Sequence, residues 1–169
     1  MTQSDFVALV MPFKDKVYRL AKRLLVSKEE AEDATQEILM KLWSHKQRME
    51  DYNNLEAFSM TMTKNLCLDR LKSKQAQNLK LVHSNYEAPE VSLQKQIELR
   101  DSVAWVNKIM EELPEQQKII VQMRDVEAYD FEEIAKILEM KEIAVRVALS
   151  RARKTIREKL TQKDSYGIR

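Results

Sequence analysis

A dense run of basic side chains lies near the C-terminal end of this 169-residue chain. Between Lys141 and Lys159 there are seven Lys or Arg residues but only two acids, Glu142 and Glu158, so 7 − 2 gives a local charge of +5. Ammonium and guanidinium groups bind phosphate, and an Arg can also pair with a guanine edge through two hydrogen bonds. The pattern favours contact with nucleic acid, although a solvated face of an ordinary amphipathic helix pair has the same composition.

Two short helices joined by a tight turn are predicted to position these basic residues. Asp130 and Glu133 have the spacing of a capping box, so a helix should begin there. A second helix follows, with Val145, Leu149 and Ala152 on its apolar face. The polar residues that lie off this face are Glu142, Arg146, Ser150, Arg151, Arg153, Lys154 and Arg157. The pattern predicts a helix-turn-helix whose second helix enters the major groove of DNA.

The composition predicts an all-α fold. The chain has one glycine and three prolines, too few for the turns of an all-β protein. That glycine, Gly167, lies almost at the C-terminus, so neither a P-loop nor a dinucleotide fingerprint can form. Apolar periodicity predicts a three- to four-helix bundle over residues 1–75, a linker over 76–93, and a four-helix unit with the helix-turn-helix over 94–169.

Charge is distributed unevenly along the chain, although the formal net charge is only +2. Residues 27–37 contain one basic and five acidic side chains, a local charge of 1 − 5 = −4. Residues 61–80 contain five basic and one acidic, a local charge of 5 − 1 = +4. Together with the C-terminal run, these blocks suggest one protein contact and two nucleic-acid contacts, although solvated helix faces would explain each block taken singly.

No metal site or cofactor site is expected from the remaining chemistry-bearing residues. His45 and His83 stand apart from any cluster with metal-ligand spacing, and the lone Cys67 falls in an apolar helical pattern that suggests burial. We also expect no signal peptide and no membrane span, because no apolar run is long enough. A cytoplasmic protein is therefore expected.

The order of several sequence blocks resembles the extracytoplasmic-function (ECF) group of bacterial sigma factors, members of the sigma-70 family. These blocks are EEAEDATQEILMKLW, AFSMTMTKNLCLDRLK, a linker, LPEQQKIIVQMRDVEAYDFEEIAKIL and AVRVALSRARKTIREKL. The resemblance implies a nonenzymatic factor that binds core RNA polymerase, directs it to promoters and assists opening of the duplex. It also implies control by an anti-sigma factor.

The resemblance further implies roles for individual residues. Contact with core polymerase falls on Asp33, Gln36, Glu37, Leu42 and Trp43. Contact with the single-stranded minus-10 element falls on Tyr52, Asn53, Asn54, Lys64, Asn65, Arg70, Lys72 and Lys74. Contact with the duplex minus-35 element falls on Glu142, Arg146, Ser150, Arg151, Arg153, Lys154 and Arg157, with Arg146 as the first choice for a base contact. Leu42 and Trp43 can equally belong to the core, and Tyr52 can equally anchor its loop.

The chain departs from the family pattern in the turn of the helix-turn-helix. Leu138, Glu139 and Met140 stand where the family usually has a glycine, and a nonglycine residue at positive φ would cost about 1 kcal/mol. Lys141 replaces the usual hydroxyl cap. These changes put the minus-35 contact in question more than the fold.

Parts of the sequence pattern also fit two other classes of protein. A dimeric helix-turn-helix regulator would use the C-terminal helices on duplex DNA without polymerase, with the N-terminal bundle as a sensor or dimerisation module. The acidic helix and the second basic block are features that such a bundle does not require. A nuclease or nucleotidyl-transfer accessory is disfavoured, because Glu29, Glu32 and Asp33 show plain helical charge spacing with no neighbouring ligands.

Overall fold

Seven α-helices make up most of the chain in a computed structural model that describes residues 1–82 and 102–165. No strand occurs within these two ranges, and the predicted all-α fold is confirmed. The helices are α1 (Gln3–Leu25), α2 (Lys28–Ser44), α3 (Leu55–Val82), α4 (Ser102–Glu112), α5 (Glu115–Val121), α6 (Phe131–Leu138) and α7 (Glu142–Ser165). A 3-10 helix (Lys46–Asp51) lies between α2 and α3, and a π-helical turn (Gln122–Val126) extends α5.

Short polar residues start the three N-terminal helices. Thr2 caps α1 in a reciprocal capping box, and Ser27 caps α2 by accepting a hydrogen bond from the Glu30 amide at 3.3 Å. The side-chain oxygen of Asn54 accepts from the Ala57 amide at 2.9 Å and so caps α3. Such contacts satisfy amide groups that have no partner within the helix.

Helix α3 is longer than the sequence pattern predicts. It continues to Val82 rather than ending near Lys74, because residues 75–82 contain neither glycine nor proline to stop it. The predicted resumption of helix near Gln94 lies outside the described residues. The division into domains at residues 75 and 94 therefore stays a prediction, and below we call residues 1–82 the N-terminal half and residues 102–165 the C-terminal half.

The cores of the two halves are continuous. Leu20, Ile38 and Met60 are fully buried in the N-terminal half, and Ile120 and Ile134 in the C-terminal half, within one hydrophobic cluster. Helix α3 packs on α6, and α1 packs on α5. The predicted burial of Cys67 is confirmed, and desolvation raises the pKa of its thiol to about 12.

Polar contacts tie the two halves together around this core. Arg19 of α1 binds the Glu127 carboxylate through two hydrogen bonds of 2.5 and 2.8 Å. The Glu127 side chain is only 2% exposed, so the bidentate pair satisfies a charge that is otherwise removed from water. Thr61 of α3 donates to the Ile137 carbonyl of α6 at 3.1 Å. The structure is therefore a closed form in which the halves lie against each other.

Candidate nucleic-acid interface

The turn between α6 and α7 forms without a glycine. Glu139 adopts the left-handed conformation, with φ 54° and ψ 46°. A nonglycine residue therefore takes the positive φ for which the family usually has a glycine. The Met140 amide donates to the Ala135 carbonyl at 3.0 Å, and the Glu139 amide donates to the Lys136 carbonyl at 3.4 Å. These two bonds form a Schellman motif, which satisfies the last carbonyls of α6 and fixes where α7 begins.

The start of α6 also agrees with the sequence pattern. The Glu133 amide donates to Asp130 at 2.7 Å, and the Asp130 amide donates to Glu133 at 3.2 Å, so the predicted capping box is confirmed. Helix α7 packs on α5 and α6, and its residues Val145, Leu149 and Ala152 are buried as predicted. The predicted helix-turn-helix is therefore present, with its charged face turned outward.

Two of the predicted base-contacting residues of α7 bind each other. The Arg146 guanidinium donates to Glu142 at 3.0 Å and lies 4.1 Å from the centroid of the Phe131 ring. Arg146 can reach a base edge only by leaving the carboxylate and the ring. In the same way, Arg153 is held by Asp125 through two hydrogen bonds, which raise the pKa of the guanidinium.

The other polar residues predicted on α7 are exposed. These are Ser150, Arg151, Lys154 and Arg157. None of the three cations among them forms an ion pair with an acidic side chain that the structure describes. Helix α7 thus offers uncompensated positive charge along its outer surface, which suits a phosphate backbone.

Two apolar residues on α7 lie outside the predicted site. Ile143 is 71% exposed and Val147 is 44% exposed. The signal for them was present in the sequence, because each precedes a core residue, Val145 or Leu149, by two positions. Two residues turn an α-helix by about 200°, so these side chains fall opposite the core.

The acidic and basic blocks of the N-terminal half lie side by side. One Arg70 nitrogen is 2.9 Å from an Asp33 oxygen and 2.5 Å from a Glu37 oxygen. The hydrogen bond from Arg70 lowers the pKa of Glu37. Lys74 pairs with Glu30 of α2 in the same way. Residues assigned by the resemblance to polymerase and to DNA are therefore bound to each other, which spacing along the chain did not indicate.

The outer face of α2 combines charge with an exposed apolar side chain. Asp33, Gln36, Glu37 and Lys41 surround Met40, which is 72% exposed and was not predicted to take part. Two residues predicted to contact polymerase, Leu42 and Trp43, are less exposed than Met40.

Leu42 is only 1% exposed and belongs to the core. Trp43 is half-buried, with its ring edge-on to Phe6 at 5.1 Å between centroids and Lys46 placed 3.9 Å from its ring centroid. Both placements agree with the alternative, stated above, that these residues pack in the bundle. A docking partner could touch Trp43 but not the side chain of Leu42.

The loop before α3 holds three residues predicted to contact DNA. Tyr52 stacks on Phe58, with 4.3 Å between ring centroids, so one face of its ring is covered. Asn54 is engaged in capping α3, while Asn53 is exposed. Tyr52 is therefore a loop anchor in this form, with its second face as the only one that a base could stack on.

The remaining predicted residues lie on α3. Asn65 and Lys72 are exposed. Lys64 is half-buried and lines a groove with Leu68 of α3, Glu115 of α5 and Met140 of the turn. The C-terminal half therefore covers part of the α3 surface that is predicted to contact DNA.

Comparison with known families decides between the classes of protein. The family model for sigma-70 region 2 matches residues 9–77, and that for sigma-70 region 4 matches residues 104–156. The chain belongs to the sigma-70 family. It is 28% identical over 160 residues to the ECF RNA polymerase sigma factor SigE of Mycolicibacterium smegmatis, a match that covers 93% of this chain. The chain spans 62% of the length of that relative. By its name that relative is an ECF sigma factor, the group that the sequence blocks of this chain resemble.

Two solved structures share the fold. The sigma factor RpoE of Bartonella quintana, in complex with the anti-sigma factor NepR, matches with a TM-score of 0.74 at 21% identity. That match covers 93% of this chain and 97% of RpoE. CnrH, in complex with the cytosolic domain of CnrY, matches with a TM-score of 0.69 at 16% identity, covering 95% of this chain and 90% of CnrH.

The described residues hold neither a membrane-spanning helix nor a cluster of metal ligands. Within residues 1–82 and 102–165, no helix is both long and apolar enough to cross a membrane. The same ranges hold no group of three or more His, Cys, Asp or Glu residues arranged to bind a metal ion.

Proposed function

We propose that the chain is a sigma factor that binds core RNA polymerase, directs it to specific promoters and assists promoter opening. The observation that carries this proposal is the presence of both sigma regions on one chain, with α2 and α3 in the first match and the helix-turn-helix in the second. A dimeric regulator would need only the second region. The factor itself would catalyse no reaction and would act in the cytoplasm, together with the polymerase.

The surface proposed for core polymerase is the outer face of α2. Asp33 and Gln36 are exposed beside Met40, and Trp43 lies one turn further along the helix. An exposed methionine ringed by polar side chains suits an interface whose centre is apolar and whose rim steers a basic partner. Leu42 would support this surface from within rather than contact the partner.

The surface proposed for the minus-10 element comprises the loop before α3 and the exposed side of that helix. Asn53 and Asn65 can read base edges, and Lys72 can hold the backbone. Arg70 and Lys74 would first have to exchange their carboxylate partners on α2 for phosphate. Their main role in the closed form would be to position α2 against α3.

The surface proposed for the minus-35 element is the outer face of α7. Arg151, Lys154 and Arg157 would bind phosphate, and Arg153 would be steadied by Asp125. Arg146, Glu142 and Ser150 would face base edges, once Arg146 has left Glu142 and the Phe131 ring.

Use of both DNA surfaces at once would require the halves to separate. The positions in the names of the minus-35 and minus-10 elements differ by about 25 base pairs, which is about 85 Å of duplex at about 3.4 Å per base pair. In the closed form α3 packs on α6, next to the start of α7. We therefore propose that polymerase binds an opened form, and that an anti-sigma factor, as NepR is for RpoE, stabilises the closed form.

In-vitro transcription with bacterial core polymerase on a library of randomised promoters tests the function. Specific start sites should depend on the added protein. Asp33→Ala should weaken polymerase binding without changing the selected promoter, whereas Asp15→Ala, a matched change at an exposed acid of α1, should do neither. Arg146→Ala should keep polymerase binding and alter the upstream sequence selected. If no start site needs the protein while it binds duplex DNA as a dimer, the regulator replaces the sigma factor.

A further inference from the structure

Two exposed apolar side chains lie among the charged residues on the outer surface of α7. We call Ile143 and Val147 the outer stripe; they are 71% and 44% exposed and lie one helical turn apart, about 6 Å along the axis. No residue of 1–82 or 102–165 covers them fully, and they border a shallow groove with Met140 of the turn and Pro114 before α5. Two large apolar side chains are thus left at the point of the helix furthest from its core.

The flanks of the outer stripe are polar and cationic. Arg146 and Ser150 follow one edge, Ala144 and Arg151 follow the other, and Lys154 continues the stripe towards the C-terminus. An apolar centre with one cation on each side, Arg146 and Arg151, is complementary to a groove that has phosphates on both walls. The major groove of duplex DNA has this form and admits an α-helix.

The chemistry of the major-groove floor identifies what an apolar stripe would contact. Hydrogen-bond donors and acceptors line most of that floor, and the C5 methyl group of thymine is its apolar feature. Apolar side chains recognise thymine by contact with this methyl group. Ile143 and Val147 can make such contacts without releasing a partner, whereas Arg146 must first leave Glu142.

We propose that Ile143 and Val147 read two thymine methyl groups, one each, in the minus-35 element. The inference rests on the proposed function and makes it more specific, because it adds two specificity-determining residues that the family pattern did not assign. The 6 Å spacing of the stripe, against about 3.4 Å per base pair, places the two thymines within about three base pairs of each other.

Replacement of thymine by deoxyuridine in the selected promoter tests this contact, because it removes the methyl group and leaves every hydrogen bond. Binding of polymerase carrying the full chain would be measured on promoters with one replacement at a time. Loss of the buried methyl group should weaken binding about fourfold at two positions. Replacement of any other thymine should leave the affinity unchanged. Ile143→Ala should weaken binding to the unmodified promoter by a similar factor and remove the sensitivity at one position, and Val147→Ala should do the same at the other.

A matched control is Val106→Ala, which shortens a valine that is 38% exposed on α4. This variant should keep both sensitivities. Circular dichroism should show unchanged helix content in all three variants, since the side chains are exposed.

Other outcomes overturn the inference. If the protein supports specific initiation but no deoxyuridine replacement changes binding, the stripe does not read thymine while the sigma function stands. If Ile143→Ala weakens binding of the protein to core polymerase and leaves the ratio between thymine and deoxyuridine unchanged, the stripe contacts protein instead. If no transcription depends on the protein, the proposed function fails first and the inference fails with it.

Discussion

Helices α3 and α7 carry a similar excess of basic residues, yet the fold places that charge in different surroundings. On α3, Arg70 and Lys74 are paired with acids of α2, and Lys64 lies against the C-terminal half. On α7, Lys154 and Arg157 are exposed and unpaired with any described acid. The basic surface of α3 is mostly compensated and partly covered, whereas that of α7 keeps exposed cations without an acidic partner beside the paired Arg146 and Arg153.

This difference has a physical consequence for binding. A cation that already has a carboxylate partner gains little when it exchanges that partner for phosphate, because one ion pair replaces another. An uncompensated cation releases counterions from the DNA and gains the full effect. The closed form should therefore bind duplex DNA through α7 first, and α3 should contribute only after the halves open.

The largest expected effect comes from breaking the contact that closes the molecule. Arg19→Met leaves the Glu127 carboxylate, whose side chain is 2% exposed, without its cation, and loss of a partner from a buried pair costs about 3 kcal/mol. Opening relieves this cost, so the variant should favour the open form by about a hundredfold. Small-angle scattering should show a larger radius of gyration.

Glu127→Gln is the control for this change. It leaves Arg19, whose side chain is 45% exposed, able to reach water, so the shift should be smaller. An unchanged radius in Arg19→Met would show that apolar packing alone holds the closed form, and that Lys64 stays covered without the ion pair.

The salt dependence of DNA binding tests the contrast between the two helices directly. Lys154→Ala should reduce the magnitude of the negative slope of log affinity against log salt by about 0.9, the value of one lost phosphate contact. Lys74→Ala should reduce that magnitude less, because Glu30 already compensates the charge. Filter binding to a minus-35 duplex over a range of salt concentrations measures both slopes. Equal losses would mean that the pairing on α3 does not persist on DNA.

The free energy of unfolding, unlike DNA binding, should depend more on a paired cation than on an unpaired one. Arg70→Ala removes the partner of Asp33 and Glu37 and should lower the free energy of unfolding by about 1 kcal/mol, since the pairs are solvent-exposed. Lys72→Ala, a change at an exposed neighbour on the same helix, should lower it by much less. Urea denaturation at neutral pH compares the two variants.

The pH dependence of the Arg70→Ala effect follows from Glu37. The hydrogen bond from Arg70 lowers the pKa of that carboxyl in the folded protein below the ordinary 4.5. Its stabilising effect is therefore complete above pH 4.5 and is lost as the pH falls through the lowered value. The difference between wild type and variant should narrow in that acidic range, and a constant difference would assign the effect to packing of the Arg70 stem.

The smallest expected effect concerns the turn that joins α6 to α7. Glu139→Gly removes the left-handed strain at φ 54° and should raise the free energy of unfolding by about 0.5 kcal/mol, the strain relieved less the added freedom of the unfolded chain. Thermal unfolding measures it, with Glu139→Asn expected in between. Promoter selectivity should not change, because the Schellman hydrogen bonds use only the backbone. A destabilised Glu139→Gly would mean that the glutamate side chain itself supports the turn.

Local rules were enough to predict the helices and several of their boundaries. Asp130 and Glu133 predicted the start of α6, Asn54 the start of α3, and the apolar spacing of Val145 and Leu149 the buried face of α7. Such signals act between residues three or four apart, within one turn of helix, so they do not depend on the rest of the fold. The end of α3 was missed because no stop signal follows Lys74.

Only the tertiary structure decided which charges are available and which surfaces are covered. Arg19 and Glu127 are 108 positions apart, and Arg70 and Glu37 are 33 apart, so their pairing depends on how whole helices are rotated and packed. The same packing buries Leu42 and exposes Met40, two apolar residues of the same helix. Residue type and spacing therefore determined the helices and the kind of partner, whereas packing between helices determined which side chains can reach it.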